Sequence, residues 1–117
     1  MRLFCYNMTM TYKELLEAAV RVREKYNHLN ARDNGGAWDG DKLMAGFVGD
    51  VGDLSKIIMA KSGYRPMNDI DEKLRHELSD CLWSVLVLAN YYNIDLEGQF
   101  IKSMDELETR VDAELGV

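Results

Sequence analysis

The sequence predicts an all-α protein in which four helices pack into a bundle. Apolar residues recur every three or four positions in four long stretches, which is the spacing of one helix face. The 117 residues include a single proline, and no stretch shows the strict alternation of a half-buried strand. The length suits one domain with a modest core. We expect this domain to occupy residues 11–117, with residues 1–10 loosely held.

The first helix is expected over about residues 12–29. Thr11 and Glu14 form the capping-box pattern that satisfies free N–H groups at the start of a helix. The residues that follow build a mostly apolar face, on which Arg23 is the polar exception. One asparagine and two glycines at positions 34–36 then break the chain.

The second helix is expected over about residues 40–61. Asp39 is its candidate N-cap, and Ser62 followed by Gly63 is typical of a helix end. Its apolar face consists of Leu43, Phe47, Val51, Leu54 and Ile58.

The third helix is expected over about residues 69–92, with Asn68 as its cap and Asn93 at its exit. Residues 81–89 are apolar almost all round, so this helix must be covered on several sides. Three further helices from so short a chain are too few for that, and we therefore predict self-association near this helix. The fourth helix follows Asp95, and its apolar face consists of Leu96, Phe100, Met104, Leu107 and Val111.

Composition excludes several classes of partner. The formal net charge is −6 and the pI is about 4.8, whereas a general nucleic-acid binder needs a basic face. The longest apolar run, residues 81–89, is too short to span a bilayer. Cys5 and Cys81 form neither a CxxC motif nor a disulfide framework, which is typical of the reducing cytoplasm. We therefore expect a cytoplasmic protein that binds neither nucleic acid nor membrane.

Two pairs of acids on consecutive helices are the main functional signal. Asp50 and Asp53 form one pair, Glu77 and Asp80 the other, and residues at i and i+3 share one side of a helix. On helical wheels both pairs lie in or beside the apolar faces. Four carboxylates gathered there would repel and lose hydration, and a divalent cation would offset both effects. An all-oxygen ligand set favours Mg²⁺, with Mn²⁺ as the alternative, although such pairs also occur on solvated helix faces.

Other catalytic arrangements are not recognisable in the sequence. Neither His28 nor His76 has a glutamate three residues before it, as a di-iron helical bundle would need. No Ser/His/Asp or Cys/His set stands out, and the glycines at 34–36 lack the lysine of a phosphate-binding loop.

Three segments resemble the MazG-like all-α nucleoside triphosphate pyrophosphatases, most closely the dCTP pyrophosphatase-like branch. They are residues 47–56, 76–83 and 89–96, and the similarity extends over about residues 38–111. That superfamily carries ExxE on one helix and ExxD on the next. Here the corresponding motifs begin at Asp50 and at Glu77.

The resemblance implies a fold, an activity and a site. The fold is a four-helix MazG-like bundle that is completed by dimerisation, as a dimer or a dimer of dimers. The activity is hydrolysis of a nucleoside triphosphate to the monophosphate and pyrophosphate, in the simplest case the removal of unwanted dNTPs. Mg²⁺ ions held by Asp50, Asp53, Glu77 and Asp80 would clamp the phosphates and activate a water for attack at the α-phosphorus.

Several positions depart from the family pattern. Gly49 stands where many members have a further glutamate, and Asp replaces Glu at 50 and 53. On the last helix Ser103 and Leu107 occupy the places of a lysine and an asparagine, and Arg110 is retained. The family pattern therefore predicts no substrate contact at Ser103 or Leu107, and Arg110 is the candidate contact on that helix.

Candidate substrate contacts follow from the same resemblance. Trp38 lies where dCTP pyrophosphatase-like proteins carry aromatic residues that stack on the base. Its alternative role is to cover one end of the hydrophobic core. Lys56 and Lys61 could reach phosphate, although a lysine late in a helix more often forms its solvated end. Lys73 could touch phosphate or orient Glu77, although a plain i,i+4 ion pair is the commoner role.

Two alternative functions remain open at this point. The departures at Gly49, Ser103 and Leu107 are compatible with a non-catalytic helical dimer that binds a nucleotide or a protein partner. Phosphoribosyl-ATP pyrophosphatase is a relative with similar acidic motifs, although the region of Trp38 fits it less well.

Overall fold

The computed structural model describes residues 9–33 and 36–117. The described residues form four helices and no strand: α1 (Tyr12–Asp33), α2 (Gly40–Lys61), α3 (Ile70–Tyr91) and α4 (Leu96–Leu115). The predicted all-α class and the number of helices are confirmed. Most of the predicted loose segment 1–10 and two of the three residues of the predicted break at 34–36 lie outside the described residues.

α1 begins with the predicted capping box. The Thr11 N–H donates to Glu14 Oε1 at 3.0 Å, and the Glu14 N–H donates back to Thr11 Oγ1 at 3.2 Å. The helix ends at Asp33, four residues beyond the predicted end at Leu29. The apolar pattern stops at Leu29, but the next four residues include no glycine or proline, so the helix continues without an apolar face.

α2 starts and stops at the predicted signals. The Asp39 side chain accepts a hydrogen bond from the Lys42 N–H at 3.0 Å, as an N-cap does. At the other end Gly63 has a φ of 86°, a left-handed conformation that glycine adopts without strain. Its N–H donates to the Ala60 carbonyl, and the Tyr64 N–H donates to the Met59 carbonyl, at 3.0 and 2.9 Å.

The predicted cap of α3 is wrong by one residue. Asp69, not Asn68, is the N-cap, with a left-handed φ of 54° and no side-chain hydrogen bond to the helix. Asn and Asp both suit caps and both tolerate the left-handed region, so two such neighbours are equivalent in sequence. At the exit Asn93, with a φ of 56°, turns the chain away from the helix as expected.

α3 is the central helix, and it packs along α2 and against α1. The core between them consists of Ala19, Leu43, Leu86 and Val87, of which Val87 is completely buried. The Trp83 indole N–H donates to the Ala19 carbonyl at 3.1 Å and so ties α3 to α1. The three helices thereby hold the acid-bearing sides of α2 and α3 next to each other.

α4 buries none of its residues. The chain exposes 9235 Å², whereas a compact monomer of this size would expose about 6,500 Å². Its radius of gyration is 17.6 Å, against about 13 Å for a compact domain of this length. Leu96 at the start of α4 packs against the core, whereas the rest of the apolar face of α4 is uncovered. The bundle within one chain therefore consists mainly of α1 to α3. None of the helices in the described ranges is long and apolar enough to cross a membrane.

Candidate metal and nucleotide site

The packing of α2 along α3 brings three of the four acids into one cluster. Asp50, Asp53 and Glu77 each place a carboxylate oxygen within 4.8 Å of the other two. Asp50 and Glu77 are half-buried, whereas Asp53 is exposed. This acid cluster therefore lies at the edge of the core, where it is partly shielded from water.

The surroundings of Glu77 disfavour its negative charge. Its Oε1 is buried and has no hydrogen-bond partner within the described residues. Burial raises the pKa of Glu77, and the negative charges of Asp50, Asp80 and Asp53 raise it further. A divalent cation would satisfy the orphaned oxygen and offset the repulsion. Since every donor is a carboxylate oxygen, the set fits a hard cation such as Mg²⁺ or Mn²⁺.

Asp80 lies beside the acid cluster rather than within it. Its Oδ2 is 3.3 Å from Nε2 of His76, one turn earlier on α3. The i,i+4 spacing of His76 and Asp80 was the signal for this contact in the sequence. The structure therefore brings three of the four predicted acids together, and it places Asp80 next to His76.

One side of the acid cluster opens into a cleft of about 510 Å³ between α1, α2 and α3. We call it the aromatic cleft because Tyr26, Trp38 and Trp83 line it. Tyr26 and Trp83 meet edge to face, with ring centroids 5.9 Å apart. Asp50 and Asp80 form part of its wall, so the aromatic surface continues directly into the acids.

Trp38 is fixed at both its backbone and its ring. Its carbonyl accepts a hydrogen bond from Nη2 of Arg23 at 3.1 Å, and the Arg23 guanidinium lies 5.2 Å from the ring centroid of Tyr91. The Trp38 ring lies over Gly46, where a Cβ would approach it to 3.0 Å. Trp38 is 40% exposed, so its indole remains accessible from the aromatic cleft.

On its other side the acid cluster adjoins a cleft of about 370 Å³. We call it the basic cleft because Lys56, Lys73 and His76 line it. Its acidic residues are Asp53, Glu77 and Glu72, and Glu72 pairs with Arg75 at 2.8 Å. Two of the three candidate phosphate-binding lysines are therefore brought to the acid cluster.

The remaining two candidate contacts lie elsewhere. Lys61 pairs with Asp71 at 2.6 Å, and its hydrogen bond and then its charge hold the pKa of that carboxyl below its usual range. This pair lines a separate cleft that contains none of the four acids. Arg110 lies exposed on α4, which makes little contact with the rest of the described chain.

Sequence reasoning missed the contribution of α1 to the site. Tyr26, Asn27 and Asn30 line the aromatic cleft, as does Trp83 on α3. Tyr26 was visible as part of an apolar face, but nothing in its spacing distinguished a cleft wall from the core. Asn27 and Asn30 lie on the neighbouring side of the same helix, and these polar residues beside an apolar face were the signal in the sequence that the face borders a cleft.

Comparison with known protein families matches residues 39–113 to the MazG nucleotide pyrophosphohydrolase domain. Neither the curated proteins nor the solved structures contain a match to this chain. The matched region spans well over half of the chain and includes α2, α3 and nearly all of α4, with the whole acid cluster. The chain belongs to the MazG nucleotide pyrophosphohydrolase domain family, and it is a hydrolase that acts on the pyrophosphate bonds of nucleotides.

Proposed function

We propose that this protein is a Mg²⁺-dependent nucleoside triphosphate pyrophosphohydrolase. It would convert a (d)NTP into the (d)NMP and pyrophosphate, and its role would be the removal of unwanted dNTPs. Mn²⁺ is the alternative metal. The observation that carries the proposal is the position of the acid cluster between the aromatic cleft and the basic cleft.

The two clefts match the two ends of a nucleotide. Asp50 and Asp80 belong to the wall of the aromatic cleft, whereas Asp53 and Glu77 belong to the wall of the basic cleft. A base stacked on Trp38 would leave its triphosphate at the acids. The terminal phosphates would then extend toward the lysines of the basic cleft. In this orientation the bond between the α- and β-phosphates lies at the acid cluster.

The metal-binding role rests on charge as well as on position. Asp50, Asp53, Glu77 and Asp80 with a triphosphate amount to about eight negative charges, which two or more divalent cations would largely offset. Mg²⁺ bound to these acids would neutralise phosphate charge and lower the pKa of a water for attack at the α-phosphorus. The acids themselves would orient that water and accept its proton.

Lys56 and Lys73 would bind the phosphates that leave as pyrophosphate. Both line the basic cleft next to Asp53 and Glu77, where an ammonium group can donate to phosphate oxygens. This role would offset the loss of the usual lysine and asparagine of the last helix, here Ser103 and Leu107. Lys61 is occupied by Asp71, so we assign it a smaller role.

The active form would be a dimer or a dimer of dimers. The chain exposes an excess of area over that of a compact monomer, and burial of part of this excess against a second copy would stabilise a dimer. The uncovered apolar face of α4 accounts for part of it, with Phe100, Met104, Leu107 and Val111 all at least 39% exposed. A second copy packed on this face could bring its own Arg110 toward a phosphate.

The test is pyrophosphate release from a panel of NTPs, dNTPs and phosphoribosyl-ATP with Mg²⁺. Glu77→Gln and Asp80→Asn should abolish release and leave the helical CD spectrum intact. Glu17→Gln, which removes an exposed carboxylate of α1, is the matched control and should keep full activity. Unchanged activity in the two site variants would refute the assignment of the acids. Preference for phosphoribosyl-ATP would refute the assignment of the substrate.

A further inference from the structure

Arg23 is a charged residue on the otherwise apolar face of α1. It lines the aromatic cleft, and its Nε is buried without a partner among the described residues. Burial of an unpaired N–H of a charged group costs free energy, which an unbranched apolar side chain such as that of methionine would not incur. Packing alone therefore does not account for an arginine at this position, and its role lies in the contacts that its guanidinium makes.

The guanidinium of Arg23 connects α1 to the start of α2 and to the end of α3. Its Nη2 donates to the Trp38 carbonyl at 3.1 Å, directly before Asp39 caps α2. The guanidinium carbon lies 5.2 Å from the ring centroid of Tyr91. The Tyr91 ring in turn lies against Gly40, where an added Cβ would approach its Cε2 to 3.2 Å. The donor that binds the Trp38 carbonyl is therefore itself held in place by α3.

Gly46 on α2 provides the surface against which the Trp38 ring lies. An added Cβ at Gly46 would approach Cζ3 of the ring to 3.0 Å, so any side chain here would displace the ring. Glycine inside a helix destabilises it relative to alanine, and the close approach of the ring gives this glycine a reason. Gly46 precedes Asp50 by four residues, so the two lie on one side of α2, about 6 Å apart along its axis. The indole is therefore held one helical turn from the acid cluster.

We propose that Arg23 and Gly46 are positioning residues that hold Trp38 as the stacking surface for the nucleobase. This inference rests on the proposed function. Arg23 fixes the backbone of Trp38, and Gly46 fixes the place of its ring relative to Asp50. A base that stacks on this indole has its distance to the acid cluster set in advance, so less freedom is lost when it binds. Both residues act through Trp38, and they therefore raise the affinity for the base without taking part in the cleavage of the phosphate bond.

The experiment measures KM and kcat for dCTP, dTTP, dGTP and dATP with Mg²⁺. Arg23→Met keeps an unbranched side chain and removes the donor, so KM for the best substrate should rise about tenfold, the worth of one hydrogen bond from a charged group, at an unchanged kcat. Arg23→Lys restores a cationic donor and should recover most of this loss. Gly46→Ala should also raise KM, and because alanine favours the helix, lost stability cannot explain that rise. Gly52→Ala, on the same helix with open space around an added Cβ, is the matched control and should keep the KM of the unaltered protein.

Two further measurements separate positioning from damage to the acid cluster. Inorganic pyrophosphate has no base, so its inhibition constant should be the same in all variants. Both tryptophans of the chain line the aromatic cleft, so dCMP, dTMP, dGMP and dAMP in EDTA should quench their fluorescence, and the tightest of them should bind more weakly to Arg23→Met and Gly46→Ala. An unchanged KM in both of these variants, or an inhibition constant that rises with KM, would overturn the inference. Monophosphate binding that weakens in them, without any pyrophosphate release by the unaltered protein, would instead refute the proposed function and leave this inference standing.

Discussion

Glu77→Gln should make the metal-free protein more stable while it removes metal binding. The Glu77 carboxylate lies within 4.8 Å of both Asp50 and Asp53. At that distance the repulsion energy of one pair of unit charges is about 0.9 kcal/mol in bulk water and about 3.5 kcal/mol at an effective dielectric constant of about 20. The site is half-buried and screened by salt, so the lower part of this range applies to each of the two pairs. Neutralisation should therefore raise the free energy of unfolding by about 2 kcal/mol. For a chain of this length that corresponds to a Tm increase of about 8 °C.

The assay is thermal unfolding followed by far-UV CD at pH 7, in EDTA and in Mg²⁺. The unaltered protein should gain about 2.7 kcal/mol at a Mg²⁺ concentration one hundred times its Kd, because the cation binds only the folded state. Glu77→Gln should start from a higher Tm in EDTA and gain little from Mg²⁺. Glu17→Gln should behave like the unaltered protein in both conditions. A lower Tm for Glu77→Gln in EDTA, with a full response to Mg²⁺, would refute the argument that repulsion among these acids destabilises the metal-free protein.

Three further results are expected. Burial and the neighbouring acids raise the pKa of Glu77 in the folded protein, so its protonated form stabilises the metal-free protein at low pH. This contribution is lost as the pH rises through the folded pKa, and the Tm advantage of Glu77→Gln in EDTA should grow over the same interval. Gly63→Ala should lower the free energy of unfolding by about 1 kcal/mol in urea titrations, because alanine is strained at a φ of 86°. Leu107→Glu, on the uncovered face of α4, should convert the proposed dimer into a monomer in analytical ultracentrifugation at micromolar concentration, and a dimer in that variant would place the interface elsewhere.

The helices could be predicted from sequence because their signals are local. Thr11 with Glu14, Asp39, and Ser62 with Gly63 each act within one turn, and the structure has each of them as expected. Asn68 failed as a cap because its neighbour Asp69 has the same local chemistry, and the choice depends on how the loop from α2 enters α3.

The acid cluster could be predicted in part, and the clefts could not. Two i,i+3 pairs on consecutive helices are a local pattern, so only the packing of α2 on α3 was needed to bring Asp50, Asp53 and Glu77 together. The aromatic cleft combines Tyr26, Trp38 and Trp83 from three separate segments. No periodicity in the sequence relates these three residues, since the distances between their side chains depend on how the helices pack against one another. The same reason explains why Lys61 was indistinguishable from Lys56 before the structure placed it next to Asp71.

The half-buried position of the acid cluster is what makes it suited to a metal-dependent reaction. Fully exposed carboxylates would be well hydrated, so a cation would gain little by binding them. Fully buried carboxylates would become protonated or would destabilise the fold, and they would be closed to a nucleotide. Glu77 lies between these limits because α3 changes character along its length, with acids near its start and buried residues near its end, which are Ser84, Leu86, Val87 and Ala89. Asp50 on α2 is half-buried next to it. The cluster therefore lies where the core ends, so that packing of the apolar half fixes the geometry of the acids while their charge remains available to a cation.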